Sequence, residues 1–205
     1  MKKEQAIKII TDAAKVYREN LENKNLLFIF GTEKSPEFFE ASFLPRNFMH
    51  LTGVKISENR IFGSVDFYER CLRGKLSPSV FSFADNGTTD MKLSILPQLM
   101  KIQTCAKMVG IYDYTKSVLY TEKIAGNVYA CMGFIKENNY YIPNTALRED
   151  IRDISIRPQK RVLAIFKKNI HEKFYCITPC YLIKKIDILC LISSGDLIKN
   201  KFPKI

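Results

Sequence analysis

The hydrophobic pattern changes period along the chain. Between residues 3 and 21, Ala6, Ile7, Ile10, Ala13, Ala14, Tyr17 and Leu21 recur at helical spacing, and Lys3, Glu4, Lys8, Asp12, Lys15, Arg18 and Glu19 fill the other face. This predicts an amphipathic helix that covers a sheet. Residues 26–30 form a short apolar run that reads as a buried strand. Residues 33–36 carry turn chemistry, and 38–43 read as the return strand of a hairpin. Pro45 ends that strand. Residues 57–63 are polar and read as a loop, 64–72 as a short helix closed near Gly74, and 85–87 (Asp-Asn-Gly) as a turn. From 88 to 108, Met91, Ile95, Leu99, Ile102, Ala106 and Val109 continue the helical repeat, and Pro97 divides or kinks it.

The second half alternates instead. Strands are expected over 118–124, 127–135, from 140 to 143, over 161–166 and over 173–177, with a last one through 186–192. Short strands joined by turns predict antiparallel pairing. The fold class is therefore α+β, with N-terminal helices packed on a twisted antiparallel sheet of four to five strands. One domain is expected over 1–205, with 1–25 as its N-terminal helix and 181–205 as a C-terminal extension.

One stretch breaks the pattern. In 46–54, Arg46, His50 and Thr52 stand among Phe48, Met49, Leu51 and Val54. Read as extended chain, it puts Phe48, His50 and Thr52 on one face. His50 is one of only two histidines. The plainer reading is a core histidine whose ring nitrogens are met by backbone. A second stretch follows the third predicted strand. There Asn144 and Thr145 offer small hydrogen-bonding groups, and Arg148 and Arg152 stand one helical turn apart as guanidinium forks suited to phosphate. A solubilising surface turn with Arg–Asp pairs fits the same residues. Glu122 and Lys123, adjacent on a strand, point to opposite faces, so one of them is available to a groove there; exposed strand charges are the plainer reading.

Charge narrows the partner. Thirty-two Lys and Arg against 21 Asp and Glu give a formal net charge of +11, which favours a polyanion, nucleic acid before membrane. No apolar run reaches the roughly 18 residues that span a bilayer. The basic N-terminus leads into the amphipathic segment rather than a signal-peptide core. The expectation is a cytoplasmic protein with no membrane partner. The six cysteines include no CxxC pair, and neither histidine completes a zinc spacing with Cys176 and Cys180. Free, largely buried thiols are expected, with no metal and no cofactor.

These stretches together carry a resemblance. Phe38-Phe39-Glu40, the run 47–54, Asp66-Phe67-Tyr68, Lys75-Leu76-Ser77, Tyr120-Thr121-Glu122-Lys123, Gly126-Asn127 and the run 141–152 make the chain similar to the phage-associated Barnase–EndoU–Colicin E5/D–RelE-like nucleases, fourth type, over about 26–166. The resemblance implies metal-independent RNA cleavage: the ribose 2′-OH attacks the adjacent phosphorus and leaves a 2′,3′-cyclic phosphate. It implies His50 as general acid or base, and Arg46 or Arg148 on the scissile phosphate. Thr52 and Thr145 would donate hydrogen bonds, and Lys123 would stabilise charge, with Glu122 as another candidate base. Asn144 and Arg152 would assist in substrate binding. The implied partners are tRNA, mRNA or rRNA, with an antitoxin or immunity protein if the chain is a toxin. The competing reading is an inactive RNA- or protein-binding module of the same fold, such as an anti-defence factor.

Overall fold

The computed structural model describes residues 1–57, 62–116 and 119–203. Most of the polar loop predicted at 57–63, the start of the strand predicted at 118–124 and the last two residues of the tail lie outside them. In chain order the elements are α1 (Lys3–Asn20), β1 (Lys24–Thr32), β2 (Ser35–Phe43), a 3₁₀ turn (Pro45–Asn47), α2 (Phe48–Thr52), β3 (Lys55–Ile56), α3 (Ser64–Leu72), β4 (Phe81–Ser82), α4 (Thr88–Leu99) and α5 (Ile102–Cys105). They continue with β5 (Met108–Tyr112), β6 (Lys123–Gly126), β7 (Cys131–Glu137), β8 (Tyr140–Leu147), α6 (Ile151–Ile154), β9 (Ser155–Asn169), β10 (Tyr181–Leu182), α7 (Ile188–Ser193) and α8 (Asp196–Lys199).

The fold is mixed α+β, but the main sheet has eight strands, in the order β1-β2-β8-β7-β6-β5-β9-β10, and β1 also pairs with β9. The expected four to five strands understate it. The sheet is also not purely antiparallel, because β2 meets β8 in parallel at Ala41 and Tyr141. Strand β9 explains the circuit. Its first half pairs with β5, as in Met108 with Arg161 and Tyr112 with Ser155. Its second half pairs with β1, from Phe30 with Val162 to Lys24 with Asn169. The sheet thus closes on itself, and β10 hangs on β9 as a side strand.

Alternation sorts the strand residues into two cores. Leu26, Phe28, Phe30, Phe39, Ala41, Phe43, Phe134 and Val162 join the helices in the main core. Phe28 stacks on Phe39 at 4.7 Å between centroids, and Phe134 meets both edge-on. The helical layer gathers where β2 ends. Tyr17 of α1 donates its hydroxyl to the Leu44 carbonyl at 2.9 Å and packs edge-on against Phe43 and Phe48. Leu27, Ile29, Leu163 and Phe166 form the opposite face, covered by Tyr175, Ile183, Leu191, Ile192, Ile198 and Phe202 from the C-terminal segment. With both faces covered, β1 is apolar almost throughout, which is why it reads as a continuous run rather than an alternation.

Four local expectations are corrected. Residues 46–54 are not extended: Pro45 opens a 3₁₀ turn, Asn47 Oδ1 accepts the Leu44 N–H at 2.9 Å, and Gly53 closes α2 at φ 70°. The positive φ favours glycine here, and a Cβ would also push on the flexible Lys92 side chain, whose Cδ would lie 2.8 Å away. Met108 and Val109 leave the helical repeat because the chain turns extended at Ala106 and the Lys107 N–H bonds Gly126 O, which captures it for the sheet. The apolar run at 186–192 becomes α7 because Asp187 caps it, accepting the Leu189 and Cys190 N–H groups. Residues 173–177 form no strand. Instead Tyr175 is pinned by its hydroxyl on Glu40 at 2.8 Å and its N–H on Lys201 O, while Lys201 pairs with the same carboxylate. Of the cysteines, Cys71 and Cys131 are buried, but Cys176 and Cys190 are exposed.

Gly133 on β7 lets the sheet close tightly. A Cβ there would lie 2.6 Å from both Thr121 Oγ1 and Thr145 Cγ2. Gly133→Ala is expected to lower unfolding free energy by about 1–3 kcal/mol through overpacking. Urea denaturation followed by circular dichroism reads this, and an unchanged midpoint would contradict it.

Candidate active site

The cleft arises from the same alternation that builds the main core. Four strands carry an inward-facing series that is apolar at one end and turns polar or exposed toward the other. On β2 the series runs Phe43, Ala41, Phe39 and then Glu37; on β9, Val162 and then Lys160; on β6, Ala125 and then Lys123; on β5, Val109 and then Ile111. The pairing directions bring these four ends together. They enclose a cleft of about 190 Å³ lined by Phe30, Glu37, Ile111, Lys123, Arg157 and Lys160, among others. The helical layer gathers at the other end, so nothing apolar fills this one.

Inside the cleft, Lys160 pairs with Glu37. Both side chains keep about half their surface, 41% and 50%. The Lys123 ammonium stands over two aromatic faces, 5.5 Å from Tyr141 and 6.0 Å from Phe39. Burial lowers the Lys123 pKa, and Lys160 pushes in the same direction, while Glu37 and Glu122 oppose it. Burial raises the Tyr141 hydroxyl, with Glu122 adding to the shift. Glu122, just before β6, accepts the Lys136 N–H at 3.2 Å.

The remaining sequence candidates scatter. His50 is exposed on α2, and Lys92 of α4 donates to its carbonyl at 3.2 Å. Burial of the ring, and secondarily Lys92, lowers its pKa. Thr52 is wholly buried on the opposite side of that helix, with its hydroxyl donating to Met49 O at 2.6 Å. Helical rather than extended geometry separates the two residues. Arg46 pairs with Glu137. Asn144 holds the β5–β6 connection, accepting from the Thr121 hydroxyl at 3.1 Å and donating to Tyr120 O at 2.5 Å. Thr145 is buried against Gly133. Arg148 is exposed 5.9 Å over Tyr129, outside any helix, and Arg152 is forked onto Asp150. Among the described residues, no hydrogen bond, ion pair or ring contact joins His50 to Glu37 or Lys123. Lys123 is thus the one sequence candidate in the cleft. Glu37, Lys160, Arg157 and Tyr141 were not singled out. The available signal was Glu37 on the inward parity of a strand otherwise occupied by Phe39, Ala41 and Phe43.

Larger, mostly apolar hollows lie elsewhere, among them one between α1 and α4 around Ile9 and Pro97 and one beside α7 around Leu189 and Phe202. Among the described residues, no group of three or more His, Cys, Asp or Glu is placed to hold a metal ion, and no helix is long and apolar enough to cross a membrane.

A basic cleft with one carboxylate is equipment for handling an anionic ester. The family model for phage-Barnase-EndoU-ColicinE5/D-RelE like nuclease 4 matches residues 9–183, and the chain belongs to that nuclease family. No curated protein and no solved structure matches the chain.

The position of Lys92 gives a direct check on His50. A lowered folded pKa means that neutral His50 is favoured in the native state. Its contribution to stability is complete above the ordinary value of 6.5 and is lost as pH falls through the lowered folded value. Lys92→Met is expected to raise the His50 pKa in an NMR titration; no change would remove Lys92 as a cause.

Proposed function

We propose that the protein is a metal-independent endoribonuclease whose reaction centre is the cleft at the open end of the sheet. The observation that carries this reading is the convergence of Glu37, Lys160 and Lys123 where four inward-facing series turn from apolar to charged. Nuclease family membership supports it, and so does the net charge of +11.

The chemistry follows from the side chains. Glu37 takes the proton of the ribose 2′-OH as that oxygen attacks the adjacent phosphorus. The new O–P bond forms as the bond from phosphorus to the 5′-oxygen breaks. Lys123, its pKa lowered by burial, gives a proton to the departing 5′-oxygen. Lys160 exchanges its carboxylate partner for the phosphate and neutralises the charge that gathers on the equatorial oxygens. The products are a 2′,3′-cyclic phosphate and a 5′-hydroxyl. The Tyr141 and Phe39 rings hold the Lys123 ammonium over their faces.

The test is cleavage of total RNA by purified protein in EDTA, with product ends mapped. Glu37→Gln is expected to lower kcat by about a hundred- to ten-thousandfold. His50→Ala is expected to cleave at the native rate; selective loss in that variant would move the centre to α2. Loss of native activity in EDTA would overturn the metal-independent mechanism. RNA binding without any cleavage would favour the inactive binding module.

The lowered Lys123 pKa also sets a pH dependence. Lys123 must be protonated to act as the acid, so kcat/KM is expected to fall on the alkaline side below the ordinary lysine value of 10.5. Lys123→Arg keeps the charge but cannot give up a proton near neutrality, so kcat is expected to drop while RNA binding persists. A native alkaline limb unmoved in that variant would contradict the role.

A further inference from the structure

A second hollow, of about 490 Å³, lies against the cleft and shares Ile156 and Arg157 with it. Its other lining groups are Asp113, Lys116, Arg152, Asp153 and Ser155. The acids face particular cations. Asp113 accepts the Thr115 N–H at 3.0 Å and hydroxyl at 2.7 Å and keeps its charge near Lys116, while Asp153 acts on Arg152. Arg152 is held by Asp150 and fixed as part of the wall. Among the described residues, the Arg157 guanidinium has neither an ion pair nor a hydrogen bond, and it stands between the two spaces.

The ground between the hollows is apolar and open. Ile111 and Ile156 are partners across β5 and β9, and each keeps about half its surface, 54% and 52%. Along the β5–β6 connection, Tyr114 and Tyr120 are exposed at 53% and 74%. An isoleucine shelf beside the unpaired Arg157 guanidinium suits the apolar face of an unstacked base and its phosphate. A duplex buries its base faces in the stack and offers none to such a surface.

We propose that this hollow binds the nucleotide next to the scissile bond in an unpaired RNA strand. Arg157 and Lys116 engage its phosphate, and its base lies over Ile111 and Ile156. The proposal rests on the cleft being the reaction centre, and it defines the substrate class as single-stranded RNA longer than a dinucleotide.

The test compares kcat/KM for a dinucleotide and an unstructured tetranucleotide, using native protein and Lys116→Ala/Arg157→Ala. Native protein is expected to prefer the longer substrate by about fivefold or more, the order that burying one base face on apolar side chains and engaging one phosphate supplies. In the double variant the ratio falls toward one. A ratio unchanged by the substitutions would overturn the proposal. A second arm does not depend on cleavage. Fluorescence anisotropy with 2′-O-methyl RNA, which lacks the nucleophile, compares an unpaired strand with a hairpin of the same length. Preference for the unpaired strand, lost in the double variant, supports the hollow even if no RNA is cut and the nuclease reading fails. Equal affinity for strand and hairpin, or an affinity the substitutions leave alone, overturns the hollow even where cleavage is confirmed.

Discussion

Strand β9 hydrogen-bonds to β5 through its first half and to β1 through its second, and the closure of the sheet depends on that change of partner. Without the second pairing, β1 would be an open edge beyond β2 and β8, and Glu37 would not be brought round to face Lys160. With it, the inward series of four strands end at the same place. The cleft is therefore a consequence of closure together with strict side-chain alternation.

The two ends of the sheet are treated differently, for an energetic reason. Around Tyr17, Phe43, Phe48 and Tyr68, aromatic rings meet edge-on or tilted, and the helices cover them. At the other end a half-exposed ion pair occupies the same inward positions. Such a pair adds little to stability, and a well-packed apolar pair would serve the fold as well. Charge placed where apolar groups would fit is what a binding or reacting surface requires. The C-terminal segment shows the contrast. There the buried Glu40 is satisfied by both Tyr175 and Lys201 and serves to fasten that segment over β1 and β9.

The chemistry proposed for the cleft uses the low-dielectric side of this arrangement. The Lys123 ammonium stands over Phe39 and Tyr141, and burial makes its proton easier to release. Glu37 and Lys160 remain reachable by solvent and so by a substrate. The adjoining hollow shares Ile156 and Arg157 with the cleft and so extends the same surface.

Much of the local structure was legible in the chain. The amphipathic face of α1, the β1–β2 hairpin, α3 and the mixed α+β class follow from period and turn chemistry, as does the nuclease family from its shared strings. Short apolar runs were less legible. Period alone does not separate helix from strand over five to seven residues, and Asp187, Gly53 and the Lys107–Gly126 hydrogen bond made those choices. The sequence determined which residues face the same side of each element. Only the tertiary structure decided which of those sides meet, because Glu37, Lys123 and Lys160 are joined by strand pairing across more than a hundred residues and by no spacing along the chain.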